Sequence, residues 1–334
     1  MQASDERNCV IRRSAGENGP MAAGDRSIGV PRGADPIEWL DAVTTSDGAP
    51  SARNLIVTLF GDLIGTAGRV SVRSIGDLLE SFGVNDRLAR TSLSRLVGDG
   101  LLAVERHAGR AFYGVARESV SVFGRADTRI YRSASPSWDG VWSVIVIDPA
   151  EGTQHQRAEL RRELGWAGFG NIAPNVMVSA TVDAEAAGEI VARVHGRAGG
   201  PGGVLVTRGP LEMTLGALDD GSLARRSSSL DGFSSRYASF ADGFAPLLAA
   251  PLESDSLALK LRLLVVAEFR RIALADPGLP DRLLPDEWPG YEARRVATEL
   301  HSAVAERAEQ ERDRLLEWAP GDPVEAITPR RFRD

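Results

Sequence analysis

Residues 85–97 most strongly constrain this chain, because they predict one helix with two unlike faces. The side chains that recur at helical spacing and predict a buried face are Leu88, Ala89, Leu93, Leu96 and Val97. The polar side chains one turn apart on another face are Arg87, Arg90, Thr91 and Ser94. They are hydrogen-bond donors of the kind that contact base edges and phosphates. The neighbouring segments decide whether this face binds DNA or is only solvated.

The segment before this helix predicts a helix-turn-helix. Ser74 can cap a helix that carries Ile75 and Leu78, and Gly83 can end it in the left-handed conformation. Asn85 is a good N-cap for the next helix, so two helices meet across a short turn containing glycine. Residues 53–64 predict a third helix that buries the other side.

The segment after the helix predicts a β-hairpin. Residues 101–106 and 111–115 are typical of short strands, and residues 107–110 of the turn between them. A hairpin directly after a helix-turn-helix is a wing, and a basic tip would lie against phosphates or a minor groove. The residues predicted to contact DNA are Arg87, Arg90, Thr91 and Ser94 on the helix, and Arg53, Arg73, Arg106 and Arg110 elsewhere in the module.

Charge is unevenly distributed along the 334 residues. The net charge of −7 argues against a wholly basic protein that coats nucleic acid. Residues 51–132, however, contain twelve arginines and eight acidic residues, which leaves −11 for the remainder. A basic module on an acidic body is typical of a regulator with one DNA-facing surface.

Several classes of protein are disfavoured by composition. The single cysteine, Cys9, excludes a disulfide framework within the chain and favours a reducing cytoplasm. The four histidines have no partners at metal-ligand spacing, and no apolar run is long enough to predict a membrane span. We therefore expect no metal, no cofactor and no membrane association. Residues 1–45 predict a disordered arm.

The rest of the chain predicts two further domains and an α+β fold class. Strands alternate with helices over residues 133–215 in the order of a split βαβ, ferredoxin-like unit. Residues 216–320 predict a helical domain, and residues 321–334 a tail. With a winged helix-turn-helix at 46–132, the chain has three predicted domains.

Four segments carry a family resemblance. They are RTSLSRL from Arg90, WDGVWSV from Trp138, LGWAGFG from Leu164 and DPGLPDRLLPDEWPG from Asp276. On these motifs the chain resembles the PaaX family of bacterial transcription regulators. The resemblance implies a winged helix, a central ferredoxin-like domain similar to a CRISPR-associated nuclease fold, and a helical C-terminal domain. It further implies a homodimeric repressor that leaves a palindromic operator when an aryl-acyl-coenzyme A thioester binds.

An effector of that class needs cations for its phosphates and an apolar pocket for its acyl group. The residues predicted to serve this role are Arg236, Tyr237, Arg270 and Arg271. We expect a regulator of a catabolic operon and not an enzyme. Two alternatives remain open from sequence: a metal-dependent nuclease using Asp148 at the end of a strand, and a winged helix that binds protein instead of DNA.

Overall fold

A computed structural model describes residues 28–45, 50–131, 137–198, 203–211, 219–322 and 331–332. Its helices are α1 Pro36–Thr45, α2 Ala52–Thr58, α3 Val72–Glu80, α4 Asp86–Gly98, α5 Val120–Tyr131, α6 Gln154–Ala167, α7 Ala184–Ala198, α8 Asp220–Ser228, α9 Leu230–Phe244, α10 Asp255–Ala273 and α11 Pro289–Leu315. Its strands are β1 Arg69–Ser71, β2 Leu102–His107, β3 Arg110–Val115, β4 Trp142–Ile147, β5 Gly170–Ala173, β6 Val176–Ser179 and β7 Val204–Gly209. A π-helical segment, Leu59–Ile64, continues α2. None of the described helices is long and apolar enough to cross a membrane.

The described residues form two compact units. The first comprises those within Met1–Ser133, Arg236–Ala275 and Pro289–Asp334. The second comprises those within Ala134–Ser235 and Asp276–Trp288. The predicted three-domain division in chain order stays a prediction, although long helices from the last third share a unit with the N-terminal helices.

The first unit is built on one apolar core. α2, α3 and α4 pack together, and the sheet in the order β1-β3-β2 lies beside them. Leu259 and Leu263 of α10 and Ala308 of α11 belong to the same buried cluster. Asn85 caps α4 as predicted, since its Oδ1 accepts the Leu88 N–H at 2.9 Å. α3 begins one turn earlier than predicted, and its N-cap is Ser71.

The second unit is a four-stranded sheet with helices connecting its strands. The order is β5-β6-β4-β7 and every neighbouring pair is antiparallel. β4 and β5 run in the same direction with β6 between them, which agrees with the predicted split βαβ arrangement. Ile145 and Ile147 of β4 pack with Leu160 of α6 and Val194 of α7 to form the core.

Several elements differ from the sequence prediction. β1, β5, α5 and α8 were not predicted. Residues 36–45 of the predicted disordered arm form α1, because Asp35 accepts two N–H groups at its start and Leu40 is buried. Residues 1–27 of that arm lie outside the described residues. In the predicted tail, Asp322 accepts hydrogen bonds from the Arg69 guanidinium.

Candidate nucleic-acid interface

The inner face of α4 is buried in the core of the first unit. Ala89, Leu93 and Leu96 are almost completely buried, and the helix packs against both α2 and α3. Asp99 follows its last turn, and the Arg53 guanidinium donates to the Asp99 carboxylate at 2.7 Å. The orientation of the outer face is therefore fixed by packing and by this ion pair.

The outer face carries the predicted donors. Arg87, Arg90, Thr91 and Ser94 are all exposed. Arg87 makes no ion pair with any residue that the structure describes, so its guanidinium is available to an acceptor outside the chain. The Thr91 hydroxyl donates to the Arg87 carbonyl at 2.8 Å, which leaves its lone pairs free to accept. Arg95 is also exposed on the same helix.

Arg90 differs from Arg87, because it already has an anionic partner. Its Nε lies 2.7 Å from Oδ2 of Asp86, one turn earlier on the helix. The hydrogen bond to that carboxylate and its negative charge raise the pKa of Arg90. Both side chains are solvated, so a phosphate can compete for the guanidinium.

Leu88 contradicts its predicted burial. Its spacing predicts that it lies on the core face, yet 47% of its surface is exposed. The buried face of α4 is formed by Ala89, Ser92, Leu93 and Leu96, and Leu88 lies outside that arc. The buried face therefore begins at Ala89, one residue later than the apolar spacing predicts.

The hairpin that follows α4 has a tight turn. His107 pairs with Arg110, so only Ala108 and Gly109 form the loop, with φ angles of 48° and 79°. Two successive positive φ angles are the signature of a type I′ turn. Arg106 is exposed near the tip and pairs with no acidic side chain within the described residues, whereas Arg110 forms an ion pair with Glu317.

The two remaining predicted DNA contacts differ in their freedom. Arg73 is exposed in the first turn of α3, with Asp77 4.0 Å away. Arg53 is half-buried and held by Asp99, so it stabilises the end of α4 in addition to any contact with a phosphate. The structure thus brings Arg87, Thr91 and Ser94 onto one open face.

The predicted effector residues do not form one pocket. Arg236 and Arg271 line a small cleft of about 20 Å³, where Arg236 donates to the Arg271 carbonyl at 3.3 Å. Tyr237 is buried, with its ring centroid 6.2 Å from that of Phe269, and Arg270 is hydrogen-bonded to Asn54 of α2. This cleft is far smaller than the 300–1,000 Å³ usual for ligand sites.

A larger cleft lies in the second unit, and the sequence did not predict it. Its volume is about 460 Å³, within the usual range for small molecules. Its polar lining includes Asp139, Ser143, Ser179 and Arg208. Ser143 of β4 pairs in register with Ser179 of β6 on one side and with Arg208 of β7 on the other. The Ser143 hydroxyl is buried and has no hydrogen-bond partner among the described residues. A bound polar group could satisfy that hydroxyl.

A buried charge cluster in the first unit was also missed. The Asp62 carboxylate is completely buried and accepts from Arg262 at 2.6 Å, Tyr131 at 2.7 Å and His301 at 3.2 Å. Burial alone would raise the pKa of Asp62, but the charges of Arg262 and His301 outweigh it and hold the pKa well below its usual range. An Asp inside the apolar segment 55–64 was the available signal, because a buried carboxylate requires partners.

The residue suggested for a nuclease occupies a turn. Asp148 Oδ1 accepts the Ala150 N–H at 2.8 Å, as expected for an aspartate that begins a turn. No group of three or more His, Cys, Asp or Glu side chains within the described ranges could hold a metal ion. Nothing in the described geometry of Asp148 favours metal-assisted chemistry.

Comparison with known proteins gives three family matches in chain order. Residues 51–118 match the PaaX-like protein family, residues 135–198 the PaaX protein central Cas2-like domain, and residues 229–313 the PaaX-like protein C-terminal domain.

Two individual proteins are similar over most of the chain. The transcriptional repressor PaaX of Escherichia coli K12 is 30% identical over 264 residues, which cover 77% of this chain and 82% of that protein. The solved structure of the uncharacterized protein Rv0674 from Mycobacterium tuberculosis superposes with a TM-score of 0.52 at 22% identity, covering 78% of this chain and 98% of that one. The second likeness supports the fold alone. With the three family matches and the E. coli relative in agreement, this chain belongs to the PaaX family.

Proposed function

We propose that this protein is a sequence-specific DNA-binding transcription regulator and that residues 51–118 are its winged helix-turn-helix. The outer face of α4 carries the proposal, since it presents Arg87, which forms no ion pair with any described residue, on a helix whose other face is buried in the core. The hairpin with its exposed Arg106 is the wing. The E. coli relative is named a transcriptional repressor, which supports the same direction of regulation.

The detailed proposal is a homodimeric repressor of a catabolic operon. Two copies of α4 would enter successive major grooves about 34 Å apart on a palindromic operator. A small-molecule effector, an aryl-acyl-coenzyme A thioester or a related compound, would release the DNA. These details rest on the family resemblance.

Selection from genomic fragments tests DNA binding directly. We expect the purified protein to enrich a palindromic sequence. Arg87→Ala should weaken its binding by about 1–3 kcal/mol at fixed salt. Arg295→Ala is the matched control, because Arg295 is an exposed helical arginine paired with glutamates on α11. Absence of any enriched sequence would instead favour a winged helix that binds protein.

Release by effector needs a separate experiment. Phenylacetyl-coenzyme A and other acyl-coenzyme A esters are titrated into the protein–operator complex while fluorescence anisotropy is followed. Arg271→Gln probes the cleft beside Arg236, and Arg208→Gln probes the larger cleft of the second unit. The variant that loses release while keeping operator affinity identifies the effector site. Unchanged anisotropy with every ester contradicts this effector class.

A further inference from the structure

Leu88 is an exposed apolar residue at the start of the proposed DNA-reading helix. Leu88 and Val104 are the exposed large apolar side chains in the described residues 51–118. Single exposed leucines are common on protein surfaces, so exposure alone means little. The position of this leucine on α4 is what carries the argument.

The neighbours of Leu88 belong to the outer face. Leu88, Thr91 and Arg95 are spaced by three and four residues, so they form one stripe along the helix. All three are exposed, and the stripe runs beside Arg87 and Ser94. An apolar side chain therefore stands directly among the polar groups proposed to contact bases.

The backbone at Leu88 is fixed. Its N–H donates to the Asn85 side chain at 2.9 Å, which makes it part of the N-terminal cap. The first turns of a recognition helix are the part that contacts base edges in a major groove. Leu88 therefore has a defined position at the end of α4 that is expected to contact base edges in the major groove.

The chemistry of the groove offers one apolar feature to such a residue. Among the four bases, only thymine presents a methyl group in the major groove, at C5. We propose that Leu88 contacts a thymine methyl in each operator half-site and so determines specificity at that base pair. This inference rests on the proposed function and adds to it an apolar base contact, beside the proposed hydrogen-bond donors.

The expected effect follows from the burial of one methyl group. Removing it should weaken binding about fourfold for one half-site and roughly fifteenfold for both. The test uses the operator obtained by genomic selection. Each thymine in turn is replaced by deoxyuridine, which lacks only the C5 methyl, and the Kd is measured by anisotropy at fixed salt.

Three proteins are compared on these duplexes. The wild type should lose about fourfold affinity when one particular thymine of a half-site is replaced. Leu88→Ala removes the contact from both half-sites. It should therefore bind the thymine duplex about as weakly as the wild type binds a duplex replaced in both half-sites, a roughly fifteenfold loss, and should show no further loss on replacement. Leu205→Ala, at an apolar residue that is 60% exposed in the second unit, should behave as the wild type.

Two outcomes overturn the inference. One is a wild type indifferent to every replacement. The other is a Leu88→Ala variant that keeps the wild-type sensitivity, which would assign the methyl contact to another residue such as Thr91. Both outcomes require an operator, so they are distinct from a failure of the selection, which would contradict the proposed function itself. Circular dichroism checks that Leu88→Ala leaves the helix content unchanged.

Discussion

At the scale of the residue, α4 carries two arginines with different electrostatic surroundings. Arg87 faces solvent without an ion pair among the described residues, whereas Arg90 is held by Asp86. Asp86 also places a negative charge where a phosphate would approach. We expect Asp86→Asn to tighten operator binding about two- to fivefold, because it frees Arg90 and removes that repulsion.

The salt dependence of this variant provides a second measurement. A guanidinium newly engaged with a phosphate should steepen the slope of log Kd against log salt by about 0.9. Asp255→Asn on α10 is the matched control, since it neutralises a partly exposed first-turn carboxylate that pairs with Arg307 at 3.0 Å, outside the proposed DNA-binding module. Identical slopes for Asp86→Asn and the wild type would show that freeing Arg90 from Asp86 adds no phosphate contact.

Asp62 is a residue whose effect is on stability. Asp62→Asn removes the charge opposite the buried Arg262 guanidinium and should lower the free energy of unfolding by about 3–5 kcal/mol. Tyr131→Phe removes a single hydrogen bond to the same carboxylate and should cost only about 1 kcal/mol. Urea denaturation of the full chain measures both. Equal losses for the two variants would contradict the role given to the charge.

The pH dependence of unfolding provides a second test of Asp62. Because the folded-state pKa of Asp62 is depressed, its contribution is fully present above the unfolded-state value of about 4 and is lost as the pH falls through the folded-state value. The acid side of the stability profile should therefore be shallower in Asp62→Asn than in the wild type. If the free energy of unfolding fell with acid equally in Asp62→Asn and in the wild type, the pKa of Asp62 would be the same in the folded and unfolded states.

At the scale of the element, the hairpin turn is strained at one position. Ala108 adopts a positive φ although it has a Cβ, and Asn-Gly is the favoured pair for this turn. Ala108→Asn should therefore stabilise the protein by a few tenths of a kcal/mol up to about 1. Gly109→Ala should destabilise it by about 1 kcal/mol through backbone strain alone, because an added Cβ meets nothing within 4 Å. Thermal unfolding measures both, and opposite signs are the expected result.

Elements defined by local signals were predictable from the sequence, and those defined by distant partners were not. α4 was found through its spacing and its Asn85 cap, and the hairpin through its glycine turn. β1 is only three residues long and exists because it pairs with β3 and bridges to Trp318. The pairing of Asp62 with Arg262, 200 positions later, has no local signature. The outward position of Leu88 depends on how α4 packs on α2 and α3, which periodicity alone cannot give.

At the scale of the whole molecule, the charge distribution limits how the protein can approach DNA. Residues 51–132 carry a net charge of +4 and the remainder −11, so electrostatics should favour the approach of a duplex to the proposed module over the rest of the chain. In the proposed complex, a single module binds only one operator half-site. Affinity for a palindrome therefore depends on two modules held at a fixed separation by the proposed homodimer.

That separation can be measured by changing the operator instead of the protein. Inserting five base pairs between the half-sites turns them to opposite faces of the duplex, so we expect affinity to fall to that of one half-site. Inserting ten or eleven restores the face and changes only the distance by about 34 Å. A rigid dimer should bind both lengthened operators weakly. A dimer with a flexible link should regain affinity for the operator with ten or eleven inserted base pairs. Equal binding to all three duplexes at concentrations where sedimentation shows a monomer would contradict the dimeric arrangement.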